Sequence, residues 1–330
     1  MEENTAENIN FESRLDLSKL QESIEKIKQE LSSVIVGQHK MIDQLLVAIL
    51  SNGHVLLEGV PGVAKTITAK LLAKTLNIGF GRIQFTPDLM PSDILGTSIF
   101  DLKKSEFEFK KGPIFSNLIL IDEINRAPAK TQAALFEVME ERQITIDGTT
   151  YLLDAPFLVI ATQNPIEQEG TYRLPEAQLD RFLFKISIDY PKLDEEISII
   201  QREHLLQNVD KLSNINAILS SHEIINYQQL VKQILVEQNL IEYIAKIVVN
   251  TRENAFLYLG ASPRASIAIL NASKGFAAIR GRDFVTPEDI KEAALPVLQH
   301  RIIVTPEREM EGISSMEIIR QILETVEVPR

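Results

Sequence analysis

The chain has 330 residues, enough for two domains, with 45% apolar residues to fill their cores without covalent staples. It has no cysteine, which excludes disulfides, thiolate metal sites and thiol nucleophiles, and its five histidines are scattered without ligand spacing. A formal net charge of −12 and a pI near 5.1 oppose a nonspecific grip on nucleic acid, and no apolar run is long enough to cross a bilayer, so a cytoplasmic protein is expected.

Residues 1–30 are charged, with Leu20, Ile24 and Ile27 at helical spacing, and read as an amphipathic lead-in segment of their own. A second helical stretch runs from Val34 to Leu50 and is closed by the Ser51-Asn52-Gly53 turn. His54 to Leu57 is a first buried strand. It runs into Gly59-x-x-Gly62-x-x-Lys65-Thr66 and straight on into a helical pattern. That layout suits a polyphosphate: glycines let backbone N–H groups close on the phosphates at a helix N-terminus, Lys65 supplies charge and Thr66 offers a hydroxyl to Mg²⁺. The candidate cradle is Gly59, Val60, Pro61, Gly62, Val63, Ala64, Lys65, Thr66 and Ile67, with Ala64 where a glycine usually precedes the lysine.

Further short apolar strands are predicted at Arg82 to Thr86, Leu118 to Ile121, Phe157 to Thr162 and Phe184 to Ile188, alternating with helical stretches. The alternation predicts a parallel sheet covered by helices, an α/β domain over residues 31–191. Two insertions with period-2 patterns interrupt it. Thr97 to Phe109 reads as a hairpin or a helix-interrupting loop, and Ile144 to Leu153 as a hairpin turning at Asp147-Gly148. In these insertions Phe100, Phe107, Phe109 and Tyr151 are either core or exposed contacts, and alternation makes at least half of them core. Strand signals end at Tyr190-Pro191, and residues 192–330 read as an all-α domain, with helix starts at Ser262-Pro263 and Thr286-Pro287 and a stop at Gly281.

The strand Leu118-Ile-Leu-Ile ends in two carboxylates. Asp122 suits a Mg²⁺ ligand, and Glu123 suits the base that orients and deprotonates an attacking water. The strand Phe157 to Ala161 runs into Thr162-Gln163-Asn164-Pro165, where Asn164, with Thr162 as second choice, can hydrogen-bond the γ-phosphate or the water.

Together, GVPGVAKT, LILIDEINRAPAKTQAALFEVMEERQITIDGTTYLL, ATQNPIEQEGTYRLPEAQLDRF and GASPRA resemble the MoxR family of AAA+ ATPases, from Val34 to about Pro296. The resemblance implies an AAA+ P-loop core followed by a smaller all-α lid, with residues 97–110 as the helix-2 insertion and 143–154 as the hairpin before sensor 1. Ala64 is then a family trait, Asn164 corresponds to sensor 1, and Arg181 to the arginine finger that reaches a neighbouring subunit, with Arg173 a rival in the same loop. Arg264 corresponds to sensor 2, closing on the nucleotide from the lid. Guanidinium groups suit these tasks because hydrolysis spreads negative charge over the transferring phosphoryl group. Arg264 also stands at the positive end of its own helix, costing a few tenths of a kcal/mol, which makes sense if an anion faces it.

The resemblance further implies ATP and Mg²⁺ as ligands, a homo-oligomer in the form of a hexameric ring, and protein clients, typically with a von Willebrand factor A domain. Two alternatives stay open. Lys103-Lys104 and Lys110-Lys111 in the first insertion favour a nucleic-acid motor, against the acidic total; a nucleotide-dependent switch with little turnover is opposed by the presence of Asp122, Glu123 and Arg181.

Overall fold

Five strands build one parallel sheet in the computed structural model, which describes residues 15–60, 62–164, 172, 174–205 and 215–329. In chain order the strands of the first domain are β1 (His54–Gly59), β2 (Phe80–Gln84), β3 (Gly96–Asp101), β4 (Glu106–Lys111), β5 (Leu118–Asp122), β6 (Gln143–Ile146), β7 (Thr149–Leu152), β8 (Leu158–Gln163) and β9 (Phe182–Ile188). The sheet order is β2-β5-β8-β1-β9. β5 and β8 lie in its interior and are apolar up to their carboxyl ends, as a sheet covered on both faces requires; polar residues begin at Asp122 and Thr162. From β1 the chain crosses to the β2 edge and returns, and β9 then adds on the other flank. The carboxyl ends of β1 and β8 therefore border the crevice at which open α/β sheets bind ligands.

Both insertions are antiparallel hairpins. β3 pairs with β4 from Gly96 opposite Lys111 to Asp101 opposite Glu106, so the first insertion takes the hairpin option. β6 and β7 turn at Asp147 and Gly148, both at positive φ (50° and 77°), the conformation a two-residue type I′ turn demands. The hairpins lean on each other: Phe109 stacks on Tyr151 with centroids 4.5 Å apart, and Ser98 Oγ donates to Asp147 at 2.5 Å. Phe100 and Phe107 pair edge to face at the other end and remain 46% and 73% exposed.

The division drawn at residue 30 falls inside the helix Ser18–Val34. Leu20, Ile24, Ile27 and Leu31 are all fully buried, packed against helices Lys65–Thr75, His39–Leu50 and Pro263–Ile279. The charges that made the segment look separate lie on its outer face. Ile27→Ala is expected to destabilise the whole fold by about 2–5 kcal/mol, through lost burial and the cavity left behind. A melting temperature equal to that of the parent would show the helix to be dispensable.

Beyond β9 the chain is helical, with principal helices Ser221–Lys232, Gln238–Glu253, Pro263–Ile279, Pro287–Leu298 and Ser315–Thr325. Among the described residues, β10 (Leu257–Leu259) and β11 (Ile303–Val304) depart from an all-α reading by forming a small antiparallel pair, and Leu235 and Phe284 form an isolated parallel bridge. These helices share one apolar core with β1, β9 and helix His39–Leu50, so the lid packs on the β9 flank of the sheet. Helix Pro263–Ile279 starts where predicted, but the Ser262 hydroxyl donates across to Asp180 Oδ2 at 3.0 Å rather than capping it.

Candidate active site

The loop after β1 leads directly into helix Lys65–Thr75. A Cβ on Gly59 would meet the carbonyl oxygen of Ile188 at 2.9 Å, so β9 admits only glycine there without movement. Gly62 has open space around it but sits at φ +90°, which side chains resist. Ala64 also takes a left-handed conformation, φ +60°, at a strain of about 1–2 kcal/mol for a residue with a Cβ. This explains why glycine is the commoner residue at this place. No side chain caps the helix, so the N–H groups of its first turn, at Lys65, Thr66 and Ile67, face the loop as an anion site. Lys65 Nζ donates to Gly59 O at 2.6 Å. Burial depresses the pKa of its ammonium, opposed by the negative charges of Asp122 and Glu123 nearby.

The two acids stand at the carboxyl end of β5. Asp122 is buried; its Oδ2 accepts from Arg82 Nε at 2.7 Å, and the Thr162 hydroxyl lies 3.4 Å from Oδ1. Glu123 leaves the strand at φ +58°, a strained conformation braced by its N–H, which donates to Thr162 Oγ1 at 3.0 Å. Its carboxylate accepts from Gln84 Nε2 at 2.9 Å and pairs with Arg126 Nε at 2.9 Å. Asn164 is buried one residue beyond β8, whose Gln163 pairs with Glu58 of β1 and whose Ala161 pairs with Ile121 of β5. It therefore sits between Gly59 and Asp122, on the same edge as Lys65 and Thr66.

Arg82 and Gln84 carry contacts that sequence reasoning missed. They share one face of β2, two residues apart, and each holds one of the two acids. Their alternation was visible, but the pairing of β2 with β5, Gln84 opposite Asp122, was not. Among the described residues no cluster of three or more His, Asp or Glu forms a metal cage. Asp122 and Thr66 offer one carboxylate and one hydroxyl, a donor set that fits Mg²⁺, which keeps waters and substrate phosphates for its other positions.

Arg181 and Arg264 lie at the opposite edge. Arg181 immediately precedes β9, whose Phe182 pairs with His54 at the start of β1, so the length of β1, about 20 Å, separates it from the candidate cradle of its own subunit. Its Nη1 donates to Phe136 O at 2.5 Å and lies 3.6 Å from Glu140 Oε2. Arg264 Nη2 lies 3.4 Å from the other oxygen of Glu140. Arg264, expected to close on the nucleotide from the lid, thus stands on the same rim as Arg181. Packing of the lid on the β9 flank carries it to the edge where the strands begin, and the anion that faces it is Glu140. Two neighbours help build this rim. Arg301 is buried against Asp180 at 2.6 Å and the carbonyls of Phe182 and Val297, and His54 accepts from Val159 N–H at Nδ1, with burial pushing its pKa to about 4. Pro61 and Arg173 lie outside the described residues.

Residues 54–184 match the family described as "ATPase family associated with various cellular activities (AAA)", and residues 249–322 match the AAA lid domain. The chain is 44% identical to Chaperone MoxR1 of Mycobacterium tuberculosis over 93% of its own length and 83% of that protein. It is 45% identical to the uncharacterised protein YeaC of Bacillus subtilis, over 92% of this chain and 94% of the other. A 2.00 Å crystal structure of a Cytophaga hutchinsonii protein, provisionally assigned as an ATPase, superimposes with a TM-score of 0.88 at 45% identity, covering 95% of this chain and 97% of that one. With a glycine-containing strand-to-helix loop and paired acids at one edge of a parallel sheet, a helical lid beside it and these relatives along nearly its whole length, the chain belongs to the MoxR family of AAA+ ATPases.

Proposed function

We propose that the protein binds ATP with Mg²⁺, hydrolyses it, and uses the cycle to remodel or activate partner proteins as a cytoplasmic ring, hexameric by family likeness. The observation that carries this reading is the convergence of Lys65, Thr66, Asp122, Glu123 and Asn164 on one sheet edge, beside an uncapped helix N-terminus. Gly59 to Ile67 wrap the phosphates and Lys65 exchanges the Gly59 carbonyl for them. Thr66 and Asp122 are the residues that would hold Mg²⁺, which neutralises charge on the phosphates. Glu123, once released by Gln84 and Arg126, takes the proton of the attacking water, which Asn164 helps to orient.

Arg181 acts on the neighbour's nucleotide, because its own phosphate loop lies beyond the far end of β1. Arg264 stands on the same rim and faces the same neighbour. A client bearing a von Willebrand factor A domain is the partner the family likeness suggests. The first hairpin sets its four lysines against Asp101, Glu106 and Glu108, with Lys104 paired to Glu108 and Lys111 lying over the Phe115 ring, a balance that supports a protein client over nucleic acid.

Lys65→Ala is expected to weaken ATP binding about 100-fold or more, the effect of removing a partly buried cation from a polyphosphate. Calorimetric titration of the variant with ATP checks it, and an unchanged Kd would rule out the cradle.

A further inference from the structure

Two guanidinium groups on the arginine rim share a single carboxylate. Glu140 Oε2 stands 3.6 Å from Arg181 Nη1, and its Oε1 stands 3.4 Å from Arg264 Nη2. The three residues come from three elements: the last turn of helix Ala129–Glu141, the residue before β9, and the first turn of lid helix Pro263–Ile279. The other charged groups around the same cavity, about 270 Å³ in volume, are already committed. Asp180 accepts from Arg301 Nε at 2.6 Å and from Ser262 Oγ at 3.0 Å, and Arg142 donates to the side chain and carbonyl of Asn52. Among the described residues, Glu140 is thus the carboxylate that both Arg181 and Arg264 meet.

Neither helix-borne charge serves its own helix. Glu140 is an anion beside the carbonyl end of Ala129–Glu141, and Arg264 is a cation beside the N–H end of Pro263–Ile279, each the wrong sign for its pole. Each instead answers the other across the boundary between core and lid. Without the carboxylate, Arg181 and Arg264 would face each other as like charges, with Arg142 and Arg301 on the same cavity wall, and their long side chains would spread apart. The hold is also loose, since all three side chains are partly exposed and the separations exceed 3 Å. A more highly charged triphosphate can displace it.

We propose that Glu140 is a positioning residue that keeps the core arginine Arg181 and the lid arginine Arg264 as one pair and presents both to the triphosphate held by the neighbouring subunit. The inference rests on the reading of Arg181 as acting in trans. Glu140→Gln keeps the shape and removes the charge. In the assembled protein its kcat for ATP is expected to fall about 10- to 100-fold, the scale of a misplaced catalytic group, with KM, ATP-analogue affinity and melting temperature unchanged. Glu140→Asp, which keeps the charge, should recover part of the loss. Mixing Glu140→Gln subunits with Lys65→Ala subunits should restore turnover, because the latter carry an intact arginine pair for the former's nucleotide sites.

Full turnover by Glu140→Gln under conditions where Arg181→Ala has lost it would overturn the inference and leave the trans reading standing. So would a loss that mixing fails to restore, since Glu140 would then be acting within its own subunit. Full turnover by Arg181→Ala would instead overturn the trans reading, and the role of Glu140 with it.

Discussion

Glu123→Gln is expected to bind ATP as tightly as the parent and to hydrolyse it about 10²–10⁴-fold more slowly, the usual contribution of a positioned general base. The amide keeps the size of the side chain and can still meet Gln84 and Arg126, so the strained turn at φ +58° and its brace to Thr162 Oγ1 stay in place. What is lost is the carboxylate that the proposed mechanism uses as its base. In the proposed cradle, binding rests on the uncapped turn at Lys65 to Ile67, on a different element. Calorimetric titration with ATP together with a phosphate-release assay separates the two effects. Phosphate release at the parental rate would remove Glu123 from the mechanism; a loss of binding would mean that it supports the cradle rather than the chemistry. Because the variant stalls with ATP bound, it is also the form in which a client should stay attached, and affinity capture with ATP against capture without nucleotide tests the proposed remodelling.

The half of the site on the phosphate-loop edge was legible because its signals are local. A glycine-rich turn between a strand and a helix, and an apolar strand ending in two acids, read out of a few consecutive residues. Parallel pairing of β1, β5 and β8 then sets Asp122 and Asn164 at the edge where the loop after β1 leads to Lys65. Arg82 and Gln84 escaped because their meaning depends on which strand lies beside β2. The position of Arg264 has the same origin on a larger scale: its helix start is local, yet which end of the sheet that start faces follows from the packing of the lid against β9 and helix His39–Leu50. Ser262 illustrates this in a single residue: it stands at the helix start the sequence marks, yet its hydroxyl is turned across the boundary to donate to Asp180 and its oxygen accepts from no N–H of its own helix, an orientation set by packing. The lead-in helix was recognised by its spacing, but its charged outer face concealed that Leu20, Ile24, Ile27 and Leu31 belong to the common core.

Arg181→Ala is expected to cost about 10³-fold or more in turnover, the magnitude of a lost arginine finger, while binding of ATP to each subunit stays nearly unchanged. The separation of binding from turnover follows from the topology. Arg181 lies beside the start of β1 and the phosphate loop follows its end, so no movement of a side chain spans the interval within one subunit. If the guanidinium acts, it acts on a nucleotide bound next door, and turnover per subunit must then rise with protein concentration as subunits assemble. Mixing supplies the decisive measurement. Arg181→Ala subunits have an intact nucleotide site and no finger, Lys65→Ala subunits have the finger and no site, and neither alone should hydrolyse ATP. Turnover reappearing in the mixture requires a finger from one chain beside a phosphate on another. Two inactive variants that stay inactive together would confine Arg181 to holding Phe136 O and Glu140 within its own chain. Parental turnover by dilute, monomeric protein would exclude any arginine supplied by a neighbour.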